Sequence, residues 1–271
     1  MPEVFVSGAF DDMRSRDVRF LQEASHLGDL TVLLWSDERF RRLKGRLPEF
    51  PAAERRYMLE MVRYVQRVFL LDGPVDQDCL SVQIDLRPDV WAVTELDDTP
   101  ARRNLCLSQG IGYKVIPASQ LVDFPVPSDP GKALAGKKVI VTGCYDWLHS
   151  GHIRFFEQAS AYGDLYVSVG NDLNIHGLKG NGHPLLPQDE RTYMVGSIRF
   201  VRQAFISAGF GWLDVETEID RINPDIYLVN EDGDRPEKQA LCIRLGLQYV
   251  VLHRLPKGGL PSRQSTQLRG F

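Results

Sequence analysis

The sequence predicts an α/β protein made of two tandem domains, each with a doubly wound parallel sheet. In each half of the chain, short apolar runs alternate with amphipathic helical stretches, and this alternation is typical of parallel sheets. The two halves also match each other over most of their length, in a register of 135 residues. That period is far too long for a solenoid and indicates two homologous domains instead.

The internal match starts at the first strand of each half and continues almost to the end of the repeat. One residue is inserted in the second copy near residues 184–186, after which the register becomes 136. A match of this length with a single insertion is hard to obtain by chance. The segments that correspond are 4–11 with 139–146, 44–45 with 179–180, 54–55 with 190–191, and 105–106 with 241–242.

The repeat sets the expected domain boundaries. We expect a first domain over residues 1–122, a linker rich in Pro and Gly over 123–137, and a second domain over 138–271. Each domain is long enough to bury its own core.

Within the second domain the elements follow from apolar runs and from helix stop signals. Asn223-Pro224 ends one helix and Gly246 ends the next, while Asp189 is a candidate cap for an earlier helix. Ligands of such sheets bind at the carboxyl ends of the strands, where Gly143, residues 170–172 and residues 230–232 are expected. The predicted strands are 138–142, 165–169, 201–206, 226–229 and 248–252, and the predicted helices are 151–161, 189–199, 215–222 and 236–245.

Composition excludes several classes of protein. The net charge of −4 over 271 residues offers no electrostatic reason to bind nucleic acid or an anionic membrane surface. No apolar stretch approaches the ~20 residues of a membrane-spanning helix. The N-terminus lacks a signal-peptide pattern, and the four cysteines form no C-x-x-C pair, so we expect buried thiols at Cys106 and Cys242 and a cytoplasmic location.

Residues 143–152 are the most informative segment, reading Gly-Cys-Tyr-Asp-Trp-Leu-His-Ser-Gly-His directly after a predicted strand. A helix N-terminus offers unpaired N–H groups and a partial positive charge, which suit phosphate. His149 and His152 would donate hydrogen bonds there, and Gly151 between them allows close approach. Half of a zinc site and plain helix capping are the alternative readings of this pair.

The copies differ at this segment. His149 corresponds to Arg14, and His152 corresponds to Asp17. The first copy therefore keeps the framework but lacks both imidazoles, and we expect it to be a degenerate domain.

The motif His-x-Gly-His after a strand and turn resembles the signature of the nucleotidyltransferase superfamily. That superfamily includes cytidylyltransferases for glycerol, choline and ethanolamine phosphates, and adenylyltransferases for heptose phosphates and pantetheine phosphate. The resemblance implies Rossmann-like domains, and the tandem layout resembles ethanolamine-phosphate cytidylyltransferase. Four further segments resemble family segments in the family's order: Lys179-Gly180 with Pro184, Glu190-Arg191, Leu255-Pro256-Lys257, and Gln264-Ser265-Thr266 with Arg269.

The resemblance also implies site residues. Those expected to stabilise the transferring phosphate are His149, His152, Lys179 and Arg191. Those expected to bind the nucleotide are Gly143, Tyr145, Gly151, Asp232, Gly233, Lys257, Ser265 and Thr266. Asp146 and Asp172 are expected to contact the acceptor, Mg²⁺ is the implied cofactor, and no protein metal site is assigned.

Several of these residues also have a purely structural interpretation. Arg191 could form an ion pair, Ser265-Thr266 could cap a helix, and Asp146 could shape a turn. Asp11, the counterpart of Asp146, persists in the degenerate copy, which favours the structural interpretation of Asp146.

The function expected first is a cytidylyltransferase that joins the nucleoside monophosphate of CTP to a phosphorylated alcohol or amino-alcohol and releases pyrophosphate. The alternatives are an adenylyltransferase that uses ATP and a sugar phosphate, and a nucleotide-binding regulatory protein without turnover. The expected partners are the nucleoside triphosphate and a phosphorylated small molecule. The first copy would serve as a built-in partner in an intramolecular pseudo-dimer, with homo-oligomers as the other assembly considered.

Overall fold

A computed structural model describes residues 1–72, 87–126 and 136–265 of the chain. The chain divides into two compact units, Met1–Phe124 and Pro125–Phe271. Each unit contains one five-stranded sheet in which every pairing is parallel. The predicted α/β class with Rossmann-like, doubly wound sheets is confirmed.

The first unit has the strand order β3-β2-β1-β4-β5. The chain therefore moves outward from β1 in both directions, which defines a doubly wound sheet. Its elements are β1 (Glu3–Gly8), α1 (Ser15–Ser25), β2 (Asp29–Trp35), α2 (Asp37–Lys44), α3 (Ala52–Met61), β3 (Arg67–Leu71), β4 (Val90–Thr94), α4 (Pro100–Gln109) and β5 (Gly112–Ile116).

The second unit has the equivalent order β10-β9-β6-β7-β8. Its first strand β6 lies between β9 and β7, so the strand order reverses beside β6 and a crevice is expected there. Its elements are β6 (Lys138–Gly143), α5 (Ser150–Ser160), β7 (Asp164–Val169), α6 (Asp172–Lys179), α7 (Gln188–Gly196), β8 (Val201–Ile206), α8 (Glu216–Ile222), β9 (Ile226–Asn230), α9 (Pro236–Leu245) and β10 (Gln248–Leu252).

The core of the second unit is formed by its central strands and the helices that pack on them. Ile140, Tyr227 and Leu241 are almost fully buried and belong to one cluster. Burying an aliphatic or aromatic side chain of this size contributes about 1.5–3 kcal/mol. Cys242 lies in this cluster and Cys106 in the corresponding cluster of the first unit, both as free thiols, which confirms their predicted burial.

Two helices differ from the sequence prediction. Helix α6 was not predicted, although Asn171 caps it by accepting a hydrogen bond from the backbone N–H of Asn174 at 2.8 Å. Helix α7 has Pro187 at its N-cap, so Asp189 lies in the first turn instead of capping the helix. Among the described helices, none is long and apolar enough to cross a membrane.

A close backbone approach precedes the second strand of each unit. Gly28 and Gly163 have φ values of +156° and +153°, and a Cβ atom at either position would lie 2.0 Å from the carbonyl oxygen of Pro2 or Lys137. The same two carbonyls accept hydrogen bonds from the first residues of β2 and β7. Glycine is therefore required for the chain to turn into these strands.

We expect Gly163→Ala to destabilise the second unit by at least about 2 kcal/mol, because backbone atoms cannot yield to the added methyl group. Gly177→Ala is the matched control. Gly177 lies on the exposed side of α6 with open space around its Cβ position, so alanine should stabilise the helix by up to about 1 kcal/mol. Urea denaturation of both variants measures the difference, and equal midpoints would contradict the steric argument.

Candidate active site

The N-terminus of α5 is built around His149. This residue is the N-cap, with extended backbone angles, and its Nδ1 atom accepts a hydrogen bond from the N–H of Gly151 at 3.1 Å. A neutral imidazole whose Nδ1 accepts must carry its proton on Nε2. That Nε2 atom is buried and has no hydrogen-bond partner within the described residues. The helix start therefore retains a buried, unused donor.

His152 lies directly against His149. The two rings stack with their centroids 4.0 Å apart, and Tyr145 contacts His152 edge-on at 5.4 Å. Tyr145 itself has a φ of +52°, which places strained backbone in the turn between β6 and α5. The ring stack fixes the orientation of both imidazoles.

Burial keeps both histidines neutral. It lowers the pKa of His149 to about 4, and the nearby positive charges of Arg254 and Arg263 add to this effect. Burial also lowers the pKa of His152 well below its usual value, with His149 and Arg254 contributing. At neutral pH both imidazoles are therefore uncharged.

Gly151 is required by the same geometry. A Cβ atom at this position would lie 2.9 Å from Cε1 of His149 and 3.4 Å from the carbonyl oxygen of Arg263. The glycine between the histidines thus admits the capping imidazole on one side and the segment after β10 on the other.

A cavity of about 420 Å³ opens at the carboxyl ends of β6, β7 and β9. His149 is fully buried behind His152 and does not line the cavity. Gly151 lines a smaller pocket beside the segment after β10. Thr266 lies outside the described residues. The sequence-predicted residues that line the cavity are Gly143, Tyr145, Asp146, His152, Lys179, Asp232, Gly233 and Ser265.

Arg254 is a cavity residue that the sequence analysis missed. It lines the cavity and pairs with Asp232, with Nη2 3.0 Å from Oδ2. Lys257, the residue predicted from this segment, instead places Nζ 2.5 Å from Oε1 of Glu157 on α5 and does not line the cavity. A bend after β10 brings Arg254 to the cavity wall in place of Lys257, and no periodicity in that irregular segment signals this.

Arg191, predicted to stabilise the transferring phosphate, does not line the cavity. It is fully buried, and its guanidinium donates to the carbonyl oxygens of Leu186, Cys144 and Gly170 at 2.9, 2.6 and 2.8 Å. It also donates to Oδ1 of Asp172 at 2.7 Å. With these four bonds made, Arg191 joins the ends of β6 and β7 to the loop before α7.

The first unit contains the same arrangement around Arg55. This guanidinium donates to the carbonyl oxygens of Phe50, Ala9 and Trp35 and to Oδ1 of Asp37, at 2.6–2.9 Å. Each acceptor corresponds in the predicted register to an acceptor of Arg191. Because the first unit lacks both histidines, this network does not depend on them, and Arg191 with Asp172 has a structural role.

Asp146 has a structural role for a similar reason. Its Oδ1 atom accepts hydrogen bonds from the backbone N–H groups of Leu185 and Leu186 at 2.7 and 2.9 Å. Asp11 of the first unit accepts the two corresponding bonds, each at 3.0 Å. Asp146 therefore fixes the loop before α7 while its side chain forms part of the cavity wall, and the structural interpretation left open by the sequence is favoured over acceptor binding.

In the first unit the corresponding helix start, that of α1, is satisfied by side chains of the same segment. Oδ2 of Asp17 accepts a hydrogen bond from the backbone N–H of Arg14 at 2.8 Å, and Arg14 pairs with Asp12 at 2.6 Å. A carboxylate thus occupies the helix start, where His152 stands in the second unit. Its negative charge opposes the binding of phosphate there.

Comparison with known proteins places this site in a family. A family model described as cytidylyltransferase-like matches residues 140–245. The FAD synthase of Methanocella paludicola is 31% identical over 135 residues, which cover 49% of this chain and 93% of that enzyme. The chain belongs to the cytidylyltransferase-like family of nucleotidyltransferases. The family expected from the His-x-Gly-His motif is confirmed.

Other relatives of this chain are matched over a smaller share of their length. The bifunctional protein HldE of Methylococcus capsulatus is 39% identical over 146 residues, or 53% of this chain. The matches span between 13% and 30% of the length of the HldE relatives. A solved lipopolysaccharide core biosynthesis protein of Thermoplasma volcanium is 21% identical, with a TM-score of 0.37 over 45% of this chain and 98% of that chain.

We expect Arg191→Lys to destabilise the second unit by about 2–4 kcal/mol, because a lysine cannot satisfy three buried carbonyls and Asp172 together. Arg55→Lys should destabilise the first unit by a similar amount, since it removes the same contacts. Hydrogen exchange at β6 and β1 reports the two units separately. A variant of Arg191 with wild-type protection at β6 would contradict the structural role.

We expect the second unit to lose stability as the pH falls from about 6.5 to about 4. In that window the unfolded chain protonates His149 and the folded chain does not, so acid favours unfolding. The loss attributable to His149 is at most about 3 kcal/mol. His149→Asn keeps a capping side chain that does not titrate. The protection of β6 from hydrogen exchange should therefore depend less on pH in this variant than in the wild type. Identical pH dependence in the two proteins would refute this.

Proposed function

We propose that this chain transfers a nucleoside monophosphate from a nucleoside triphosphate to a phosphorylated acceptor and releases pyrophosphate. The observation that carries the proposal is the cavity at the start of α5, where a neutral histidine pair, Lys179, Arg254 and Ser265 come together. Membership of the nucleotidyltransferase family supports the same reaction.

The reaction proposed is an in-line displacement. A phosphate oxygen of the acceptor forms a bond to the α-phosphorus, and the bond from that phosphorus to the bridging oxygen of the β-phosphate breaks. Pyrophosphate leaves with the bonding electron pair. The attacking phosphate is already ionised at neutral pH, so the protein needs to supply positioning and charge stabilisation more than proton transfer.

The neutral and the positively charged side chains have different roles in this reaction. His152 donates a neutral hydrogen bond to the phosphate at the start of α5, and His149 holds its ring from behind. Lys179 and Arg254 supply positive charge at the cavity wall. Removing donors of this kind from a transferring group costs about 10²–10³ in rate, so the pair and the cations account for much of the expected acceleration.

Mg²⁺ is the proposed cofactor, brought in by the triphosphate. Over residues 1–72, 87–126 and 136–265, no three potential ligand side chains come together to hold a metal ion. Mg²⁺ commonly binds substrate phosphates with only one or two carboxylates and several waters, and Asp232 is an exposed carboxylate on the cavity wall. Bound there, the ion would neutralise charge on the leaving pyrophosphate.

We propose ATP as the donor in preference to CTP. Two relatives are FAD synthases, one of them matched over 93% of its length, and FAD contains an adenylyl group. This favours the adenylyltransferase alternative of the sequence analysis over the cytidylyltransferase expected first. The acceptor proposed is a phosphorylated small molecule, with a sugar phosphate as the specific candidate.

The first unit is proposed to be non-catalytic. Asp17 presents a carboxylate at the helix start, and the histidine pair is absent. Both features oppose triphosphate binding at that position.

The test is pyrophosphate release by the full-length chain with Mg²⁺ and each of ATP, CTP, GTP and UTP. The acceptors are heptose, hexose, glycerol, choline and ethanolamine phosphates and riboflavin 5′-phosphate. We expect turnover with ATP and one acceptor, and a loss of 10²–10⁴ in kcat for His152→Ala. His26→Ala is the matched control, because His26 is an exposed histidine of the first unit.

A second pair of variants compares a basic residue that lines the cavity with a nearby one that does not. Arg254→Gln should raise KM for the nucleotide at least about tenfold, because a charge-assisted hydrogen bond is lost. Lys257→Gln should change it by less than about twofold, since Lys257 does not line the cavity. Turnover with CTP alone would return the proposal to cytidylyl transfer, and no turnover with any pair would contradict the enzymatic proposal.

A further inference from the structure

Two buried charged side chains line the cavity and have no part in the transfer described above. Lys238 on α9 is 5% exposed, and Asp214 just before α8 is 7% exposed. Burying a charge costs several kcal/mol unless hydrogen bonds satisfy it. The partners of each side chain therefore show what remains available to a ligand.

Asp214 has one oxygen held by the protein and one left over. Its Oδ2 atom accepts hydrogen bonds from Oγ of Ser207 at 2.9 Å and Nδ2 of Asn174 at 3.2 Å. Its Oδ1 atom receives no hydrogen bond from any described residue. The two donors fix the carboxylate, which leaves Oδ1 as an oriented acceptor on a residue of the cavity wall.

Lys238 has long, weak contacts. Its Nζ atom lies 3.3 Å from the carbonyl oxygen of Gly233 and 3.5 Å from Oγ1 of Thr142, and 5.8 Å from the ring centroid of Tyr227. An ammonium group carries three donors, and hydrogen bonds at these distances are at the long limit. The side chain thus retains donor capacity at the point where β6 and β9 end.

The charges of Lys238 and Asp214 balance each other without a direct hydrogen bond. Within the described residues, every hydrogen bond of Lys238 or Asp214 is made with a third group, and none joins the two side chains. Burial lowers the pKa of Lys238, and the charge of Asp214 is the largest effect opposing this. The cavity wall therefore offers both a donor and an acceptor, whose opposite charges interact.

This balance selects the chemistry of a ligand group. A phosphate at this point would meet the carboxylate of Asp214, and an ammonium would meet Lys238. A hydroxyl group is neutral, and it can donate to one residue while it accepts from the other. The charges that act most on Lys238 are those of Asp214, Arg235, Asp232 and Asp234. Those of Arg254, Arg263 and Lys179 act on the histidine pair, and the ion pair of Asp232 with Arg254 joins the two groups.

We infer that Lys238 and Asp214 form a hydroxyl-recognition pair, in which a substrate hydroxyl donates to Oδ1 of Asp214 and accepts from Nζ of Lys238. The inference rests on the proposed nucleotidyl transfer and specifies the substrates of that same cavity. The hydroxyl group belongs either to the ribose of the nucleotide or to a polyhydroxylated acceptor. A quaternary or primary amino-alcohol phosphate does not suit this position.

The test asks whether the effect of each substitution depends on the presence of one particular hydroxyl group of the ligand. Calorimetry with the full-length chain compares ATP, 2′-deoxy-ATP and 3′-deoxy-ATP, which differ only in ribose hydroxyls. If the pair binds ribose, one deoxy nucleotide should bind the wild type at least about tenfold more weakly than ATP. In Lys238→Met the difference in affinity between ATP and that deoxy nucleotide should fall to within about twofold, because the hydroxyl group no longer has a charged donor as its partner.

The acceptor is tested in the same way with glycerol 3-phosphate and propyl phosphate, and with glucose 1-phosphate and cyclohexyl phosphate. Glycerol 3-phosphate and propyl phosphate share a three-carbon skeleton, and the other two phosphates share a six-membered ring, so the members of each pair differ mainly in their hydroxyl groups. A preference for the hydroxylated member that Lys238→Met abolishes would assign the pair to the acceptor. Asp214→Asn, which is nearly isosteric, provides the second variant and should reduce the same preference.

Inorganic tripolyphosphate is the control, because it has no hydroxylated carbon and should bind the wild type and Lys238→Met equally. Hydroxyl preferences that are unchanged in both variants, or absent from the wild type in both series, would overturn the recognition pair. Failure of the wild type to bind either tripolyphosphate or ATP would contradict the proposed function itself.

Discussion

The site depends on a buried guanidinium group that joins three backbone segments. Arg191 binds the carbonyl oxygens that follow β6 and β7, and it also binds the loop before α7. Carbonyl oxygens at strand ends have no partner in the sheet, and burial without one costs about 1–3 kcal/mol each. The side chain of Arg191 satisfies all three carbonyl oxygens and thereby holds together the edge of the sheet at which the cavity opens.

The same constraint explains how one framework accommodates two different helix starts. Arg55 repeats every bond of Arg191, and Asp11 repeats those of Asp146, so both units hold the turn before their first helix in the same way. Substitution within that turn then changes chemistry without changing the framework. Two neutral imidazoles leave a donor at the helix start, whereas Arg14 and Asp17 satisfy it internally.

Electrostatics divides the cavity into two parts. At the start of α5, burial keeps the histidines neutral while Lys179 and Arg254 carry the positive charge. Such an end suits phosphate groups. At the ends of β6 and β9, Lys238 and Asp214 balance each other. One end thus favours anions and the other favours neutral polar groups, which is the basis on which a nucleotide and a sugar phosphate are proposed as its ligands.

Much of the fold was determined by local sequence. The apolar runs predicted every strand of the second unit to within one residue, and the His-x-Gly-His motif located the start of α5, because these features depend on side-chain periodicity and backbone capping. Helix α6 is the exception. It is only eight residues long, and its Asn171 cap follows a strand without an obvious apolar stripe.

Only the tertiary structure decided what the charged residues do. Arg191 and Lys179 look alike in sequence as basic residues within family segments, yet one is buried on carbonyl oxygens and the other lines the cavity. Arg254 and Lys257 lie three residues apart in an irregular segment, and the bend of that segment determines which one lines the cavity. A charged side chain can extend several ångströms in many directions, so its partner depends on which distant backbone the fold brings near, and local sequence does not contain that information.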